Sequence, residues 1–435
     1  MKFPARVIIP LLAAILLAGG VLGYAWWQLS ATQEQLRMRM RTLVEEKQGT
    51  SSIAAREQEP ADTGDRVLIH LRQGDLFVLQ GDWTGAEKEY QASVDAGGGI
   101  AALRKLAQVQ MQRREVAKVK GTIQELQRLG ARSEDLLLLR VLVALRTGEL
   151  AQAEQALANA PDSPQKHYSS ALLAIVQGKH DNAKKNLQTV LSGWDPSLRE
   201  YARTLQAAYD EFALFPESRP IHLTTLLARA LAQVQECELA LPLLGQVVAE
   251  QDDYRDAWTV LGYCELTTER TADALASFEK AYAIDPEKPE IQYFLGRTYM
   301  VLEQWKNAAT FLQYAIVNGF EPKKEVRRRL AKESEKAQDL PLALEQLRAL
   351  LTEPDADIAT FTKAVTLSLQ TDKKEDGYLF AQAAVQKWPT SGKAFELLGW
   401  SAADTNRTNE AKAALQKALQ LDPSLKSARE RLQKL

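Results

Sequence analysis

"WTVLGYCELTTERTADALASFEKAYAIDP", residues 258–286, is the stretch that decides the fold. Two apolar runs flank the polar segment "TTERT" (267–271). In the second run Ala274, Phe278 and Ala281 fall on one face at helical spacing. Asp285-Pro286 ends that helix, because proline cannot continue it. The first run pairs a large residue with a small one at Leu261-Gly262, and Gly262 and Ala274 let two helices approach closely. Trp258 and Phe278 are left to fill the space between such units.

The same unit recurs. Gly262 and Gly296 are 34 residues apart, as are Leu261 and Leu295, Ala274 and Ala308, and Ala281 and Ala315. Near the C-terminus Phe361/Phe395, Gly377/Ala411, Ala384/Ala418 and Pro389/Pro423 repeat that interval. Equivalents of Ala274 are Ala86, Val119, Ala153, Ala183, Ala240, Ala308, Ala343, Gly377 and Ala411, with steps of 34, 34, 35, 34 and 34 from Ala240 onward. A fixed period of this length marks a repeat array. One interval, Ala183 to Ala240, is 57 residues. Within it 197–213 read as an extra helix, and "LFPESRP" (214–220) breaks the pattern.

At these residues the chain resembles the tetratricopeptide repeat (TPR) family. The pattern is carried by Trp258, Leu261, Gly262, Ala274, Phe278 and Pro286, with Tyr299 in the next unit where this one has Glu265. Phe395, Leu398, Gly399, Ala411, Ala418 and Pro423 carry it in the last. The resemblance covers residues 66–423, strongly after 222 and more weakly before, where Gly74, Ala86 and Tyr90 form the best unit. It implies an all-α, TPR-like helix-turn-helix solenoid of about ten units in two blocks.

Residues 7–29, "VIIPLLAAILLAGGVLGYAWWQL", carry no charge over 23 residues, enough for one transmembrane helix. Lys2 and Arg6 precede it, and Tyr24, Trp26 and Trp27 lie at the far end, where aromatic rings favour the headgroup interface. The expectation is a single-pass anchor with a cytoplasmic N-terminus and the repeats outside the cytoplasm, periplasmic in a bacterium. Arg37, Arg39 and Arg41 oppose that orientation. In the alternative, cleavage after the small residues Gly23 and Ala25 releases a secreted or periplasmic accessory factor or chaperone. Residues 30–47 continue as a helix, with Leu29, Leu36 and Leu43 seven apart as a short coiled-coil seam through which two copies could pair. The expected segments are therefore an anchor (1–29), a juxtamembrane helix and flexible linker (30–65), an N-terminal degenerate block with the extra helix (66–213), a joint (214–221), a C-terminal block (222–423) and a capping helix (424–435).

Composition narrows the function. The 435 residues are 46% hydrophobic and 25% charged, and a net charge of −2 argues against bulk nucleic-acid binding. Cys237 and Cys264 form no CxxC motif and read as small buried residues. His70, His167, His180 and His222 lack metal-ligand spacing. Gly97-Gly98-Gly99 reads as a flexible turn, and no hydrolase, zinc-protease or phosphate-loop motif occurs. The expectation is a protein that binds other proteins and is not an enzyme, with no metal and no cofactor.

The TPR resemblance implies that the first helix of each unit lines a concave face. The residue after the small one in that helix, and the residue four earlier, then point into it. These are Arg229, Tyr263, Arg297, Lys332, Thr366 and Trp400, with Thr225, Thr259, Tyr293, Arg328, Thr362 and Glu396. Arg229 through Lys332 make a basic and aromatic stripe, suited to an extended acidic segment of a partner: arginine offers bidentate carboxylate contacts and tyrosine rigid apolar area.

Overall fold

Each polar turn expected between paired helices is closed in one way. Ten residues take a left-handed conformation directly after the first helix of a pair. They are Gly81, Arg114, Gly148, Gly178, Gln235, Glu269, Glu303, Gln338, Asp372 and Asn406. The next amide then reaches back to a carbonyl five residues earlier, as from Arg270 to Glu265 at 2.8 Å, Gln304 to Tyr299 at 2.9 Å and Arg407 to Ala402 at 2.8 Å. This is the Schellman closure, which satisfies carbonyls that a helix end leaves open.

The computed structural model describes residues 63–435, all helix and connecting turn, with 22 helices among the described residues. The expected anchor, the juxtamembrane helix and all but the last three residues of the linker lie outside them. No helix of the described residues is long and apolar enough to cross a membrane.

Two compact units divide at Asp252 and Asp253. The first holds α1 (Thr63–Gln80), α2 (Trp83–Asp95), α3 (Gly99–Gln112), α4 (Val116–Arg128), α5 (Ser133–Arg146), α6 (Leu150–Ala158), α7 (Pro164–Val176), α8 (His180–Ser192), α9 (Pro196–Ala213), α10 (Pro220–Gln233) and α11 (Cys237–Glu250). The second holds α12 (Arg255–Thr267), α13 (Thr271–Ile284), α14 (Pro289–Val301), α15 (Trp305–Val317), α16 (Lys323–Lys336), α17 (Leu340–Leu351), α18 (Ile358–Gln370), α19 (Lys374–Lys387), α20 (Gly392–Asp404), α21 (Thr408–Leu421) and α22 (Lys426–Gln433). Within each unit successive helices pack in antiparallel pairs, five pairs per unit. α9 and α22 stand outside the pairs.

The small-residue ruler marks the pair contacts. Ala86, Val119, Ala153, Ala183, Ala240, Ala274, Ala308 and Ala411 are fully buried, and Ala343 and Gly377 are buried too. The space over Gly262 belongs to Phe278 rather than to Ala274: a Cβ at Gly262 would lie 2.9 Å from the Phe278 ring. Tyr90 occupies the equivalent space over Gly74, and Leu312 that over Gly296. Phe278 then stacks on Phe294 of the next pair, ring centroids 5.5 Å apart, so one aromatic ring closes its own pair and seals it to its neighbour. Where the family pattern expects tyrosine, Glu265 is buried and accepts a 2.6 Å hydrogen bond from Ser277. Burial pushes its carboxyl above the ordinary range, against the pull of Ser277 and Arg270.

The joint expected at 214–221 is not where the units part. α9 packs on both α8 and α10. Glu211 of α9 pairs with Arg229 of α10, and the Phe212 and His222 rings lie 6.1 Å apart across the turn. The α10–α11 turn is also fastened to distant helix ends. Arg146, at the end of α5, makes a bidentate pair with Glu236 (2.8 and 3.0 Å) and donates to the Met111 carbonyl of α3 at 2.8 Å. Both charged side chains are almost fully buried, and Arg114 pairs with Glu238 beside them. Burial drives the Glu236 carboxyl upward while Arg146 pulls it down. A break in local pattern is thus bridged by contacts that 34-residue periodicity does not encode.

Candidate functional site

The expected groove residues fall in both units. In the first, Arg229 is exposed on α10 but already paired with Glu211. Thr225, four residues earlier, is buried and its hydroxyl donates to the Ile221 carbonyl at 2.9 Å. At this end of the stripe the cation is thus balanced within the molecule.

In the second unit α12 and α14 build an aromatic step. Tyr263 meets Phe294 edge-on at 5.5 Å, and Tyr293 meets the same ring at 5.5 Å. Tyr293 also stacks on Phe320 at 4.2 Å. The Arg297 guanidinium lies 5.9 Å from both the Tyr293 and Phe294 centroids, and Arg329 of α16 lies 6.0 Å from Tyr293. Tyr263, Tyr293 and Arg297 are thus brought together. Phe320 and Arg329 join them, and sequence reasoning passed over both. Phe320 sits in the turn after α15, where no helical register applies. Arg329 adjoins Arg328 on α16 but lies off the two register positions taken to face the groove.

Arg328 and Lys332 stand one turn apart on α16. Most neighbouring cations are paired: Arg329 with Glu325, Lys324 with Asp355, and Lys363 with Glu335. Lys324 draws the Asp355 carboxyl below its ordinary range. Arg297, Arg328 and Lys332 make no ion pair with any carboxylate among the described residues. Thr259 and Thr362 turn their hydroxyls onto their own helices, donating to Arg255 at 2.9 Å and Ile358 at 2.8 Å.

The far end of the expected stripe is occupied. α22 packs on α20 and α21 and covers Trp400, whose ring has Lys393 at 4.8 Å and Arg431 at 5.9 Å. Glu396 is fully buried, held by Lys393 at 2.6 Å and by Ser427 of α22. Trp400 therefore serves the terminal closure and not an open face.

The four histidines are held separately. His70 contacts Glu89, His167 contacts Asn186, His180 contacts Tyr209, and His222 meets Phe212 and Phe215. Among the described residues no cluster of His, Cys, Asp and Glu is placed to hold a metal. Cys237 and Cys264 are both buried.

Family models for the tetratricopeptide repeat match residues 225–289, 265–316 and 392–425. These stretches are tetratricopeptide repeats. No curated protein matches the chain. Among solved structures the chain is similar to YrrB, described as a TPR protein with an unusual peptide-binding site. Identity is 20%, over 44% of this chain and 98% of that one, with a TM-score of 0.35. It is similar to the APC/C hetero-tetramer Cut9–Hcn1 at 12% identity, over 84% and 89%, TM-score 0.29. It is also similar to TTC0263, a thermophilic TPR protein in Thermus thermophilus, at 18% identity, over 48% and 100%, TM-score 0.29. TPR proteins generally mediate protein–protein interaction and scaffolding.

Proposed function

We propose that this chain is a membrane-anchored TPR scaffold that captures an extended acidic segment of a partner protein on the α12–α14–α16 face of its second unit. One observation carries this reading: among the described residues Arg297, Arg328 and Lys332 make no ion pair with a carboxylate, while Lys324, Arg329 and Lys363 near them do. Tyr263 and Tyr293 beside them add rigid area for a peptide backbone. The uncharged run 7–29, with Lys2 and Arg6 before it and Tyr24, Trp26 and Trp27 at its end, supports an anchor with the N-terminus in the cytoplasm and the repeats outside it. Anchoring confines the captured partner near the membrane and raises its effective concentration.

The test is binding of a labelled, extended Glu-rich peptide to the full chain by fluorescence anisotropy. Arg297→Glu with Lys332→Glu is expected to weaken binding about tenfold or more, from roughly 0.5–1 kcal/mol per exposed ion pair lost plus like-charge repulsion. Equal affinity of the double variant sinks the groove. Recovery in alkali-washed membranes, lost on deletion of 7–29, tests the anchor, and a mature mass short by about 25 residues overturns it.

A further inference from the structure

One place in the second unit holds stacked rings in one helix pair and none in the next. Between α14 and α16, Tyr293 stacks on Phe320 at 4.2 Å, and both rings pack against the cluster around Leu312. The next step of the array is 35 residues, as from Ala308 to Ala343. At that step Leu312 is followed by Leu347, but Tyr293 is followed by Arg328 and Phe320 by Asp355. Two rings are thus exchanged for two charged side chains. Neither fills the space that the rings fill. Asp355 is exposed and paired with Lys324, and Arg328 stays half-buried at the edge.

What remains is an open cleft of about 250 Å³ between α16 and α18, with α17 beneath it. Its floor is apolar: Ala331 of α16 and Leu347 and Leu350 of α17. Ala359 is exposed on the α18 wall. Two of the three charged groups at the rim are engaged. Asp357 caps α18, accepting from the Thr360 amide at 2.8 Å and from the Thr360 hydroxyl at 2.6 Å. Lys363 pairs with Glu335 at 2.5 Å. The third, Arg328, makes no ion pair among the described residues, and Lys332 stands one turn beyond it on α16.

We propose that this cleft takes one large apolar side chain of the partner segment, with a neighbouring carboxylate of the same segment on Arg328. This rests on the acidic-segment reading of the adjoining face and adds a residue rule to it: a single apolar anchor with acidic residues on either side. The partner then supplies the ring that the array lacks at this step. Burial on Ala331, Leu347 and Leu350 removes apolar surface of both molecules from water. The charge at the rim selects the context of that side chain. An apolar residue without acidic neighbours would bring Arg328 and Lys332 no counter-charge, whereas a flanking carboxylate meets the guanidinium with a charge-assisted hydrogen bond. An apolar anchor in a pocket with a polar rim is also where binding energy concentrates in protein interfaces.

Fluorescence anisotropy on the full chain tests this with two labelled peptides, identical Glu-rich segments with Phe or Ala at the centre. The wild type is expected to bind the Phe peptide about tenfold more tightly than the Ala peptide, from burial of one ring. Ala359→Trp places a ring of the chain's own in the cleft and should bring that preference down to about parity. An unchanged circular dichroism spectrum shows the variant folded, and Ala359→Leu, a smaller plug, makes the same test if tryptophan disturbs α18. Equal binding of the two peptides to the wild type overturns the cleft and leaves the acidic-segment reading standing. A preference that survives undiminished in both folded Ala359 variants also overturns it, and assigns the ring to the Tyr263–Tyr293 step. Failure of both peptides to bind the wild type overturns the acidic-segment reading and the cleft with it.

Discussion

Gly399 leaves room for Leu415 much as Gly262 leaves room for Phe278. A Cβ there would lie 2.5 Å from Leu415 Cγ. Gly399→Ala is expected to destabilise the second unit by about 1–3 kcal/mol, the usual cost of overpacking. Gly245 sits exposed in α11 with nothing near its absent side chain. Gly245→Ala should instead stabilise by up to about 1 kcal/mol, from helix propensity alone. Urea unfolding of both variants checks the pair of signs. Sequence spacing identified the small residues but not what fills the space above them, because period alone does not say which side chain leans across. Glu265 makes a second residue-level test. Its folded pKa is raised, so its contribution to stability is full below its ordinary value of 4.5 and is lost as pH rises through the raised value. Glu265→Gln removes that titration. The variant should gain on the wild type between acidic and neutral pH in urea unfolding, and parallel curves would refute the assignment.

At the scale of elements, the α10–α11 turn decides where the first unit ends. Arg146 and Glu236 are 90 residues apart, and nothing in a 34-residue register joins them. That is why the chain read as dividing at 214–221, whereas α10 and α11 belong with the helices before them. The helices themselves, including the extra α9, were legible because proline, turn residues and apolar spacing mark them locally. Breaking the buried pair leaves one charge stranded, so Arg146→Ala should cost roughly 3–5 kcal/mol and free α10–α11 to exchange. Replacing both partners, Arg146→Met with Glu236→Leu, removes the desolvation cost together with the attraction and should recover most of that loss. Hydrogen exchange in α10 and α11 separates the two outcomes.

For the whole molecule, a net charge of −2 hides an uneven distribution. Arg229 and Arg146 are paired with glutamates of the first unit, while Arg297, Arg328 and Lys332 of the second make no ion pair among the described residues. Sequence placed these cations in register but could not tell the paired from the unpaired, since the pairing depends on carboxylates 18 or 90 residues away. It also set Trp400 on an open face, because the eight residues of α22 read as a generic charged cap and their seat on α20 was not visible. Repetition carried the fold, and the departures from repetition carried most of what distinguishes one face from another.

The left-handed turns offer one further lever. Seven of the ten are held by side-chain-bearing residues: Arg114, Gln235, Glu269, Glu303, Gln338, Asp372 and Asn406. Each bears a steric penalty of about 1–2 kcal/mol that glycine escapes, partly offset by the greater freedom of glycine in the unfolded chain. Glu303→Gly should therefore raise the thermal midpoint by a degree or so, from a net gain of about 0.5 kcal/mol. Asn406→Gly should gain least, since asparagine tolerates this conformation. The turns at 269, 303, 338, 372 and 406 lie in five separate helix pairs, so their increments should add. The array can accordingly be tuned like a keyboard, with one note per repeat, and a melting gradient can be written along it in either direction without altering any residue proposed to meet a partner.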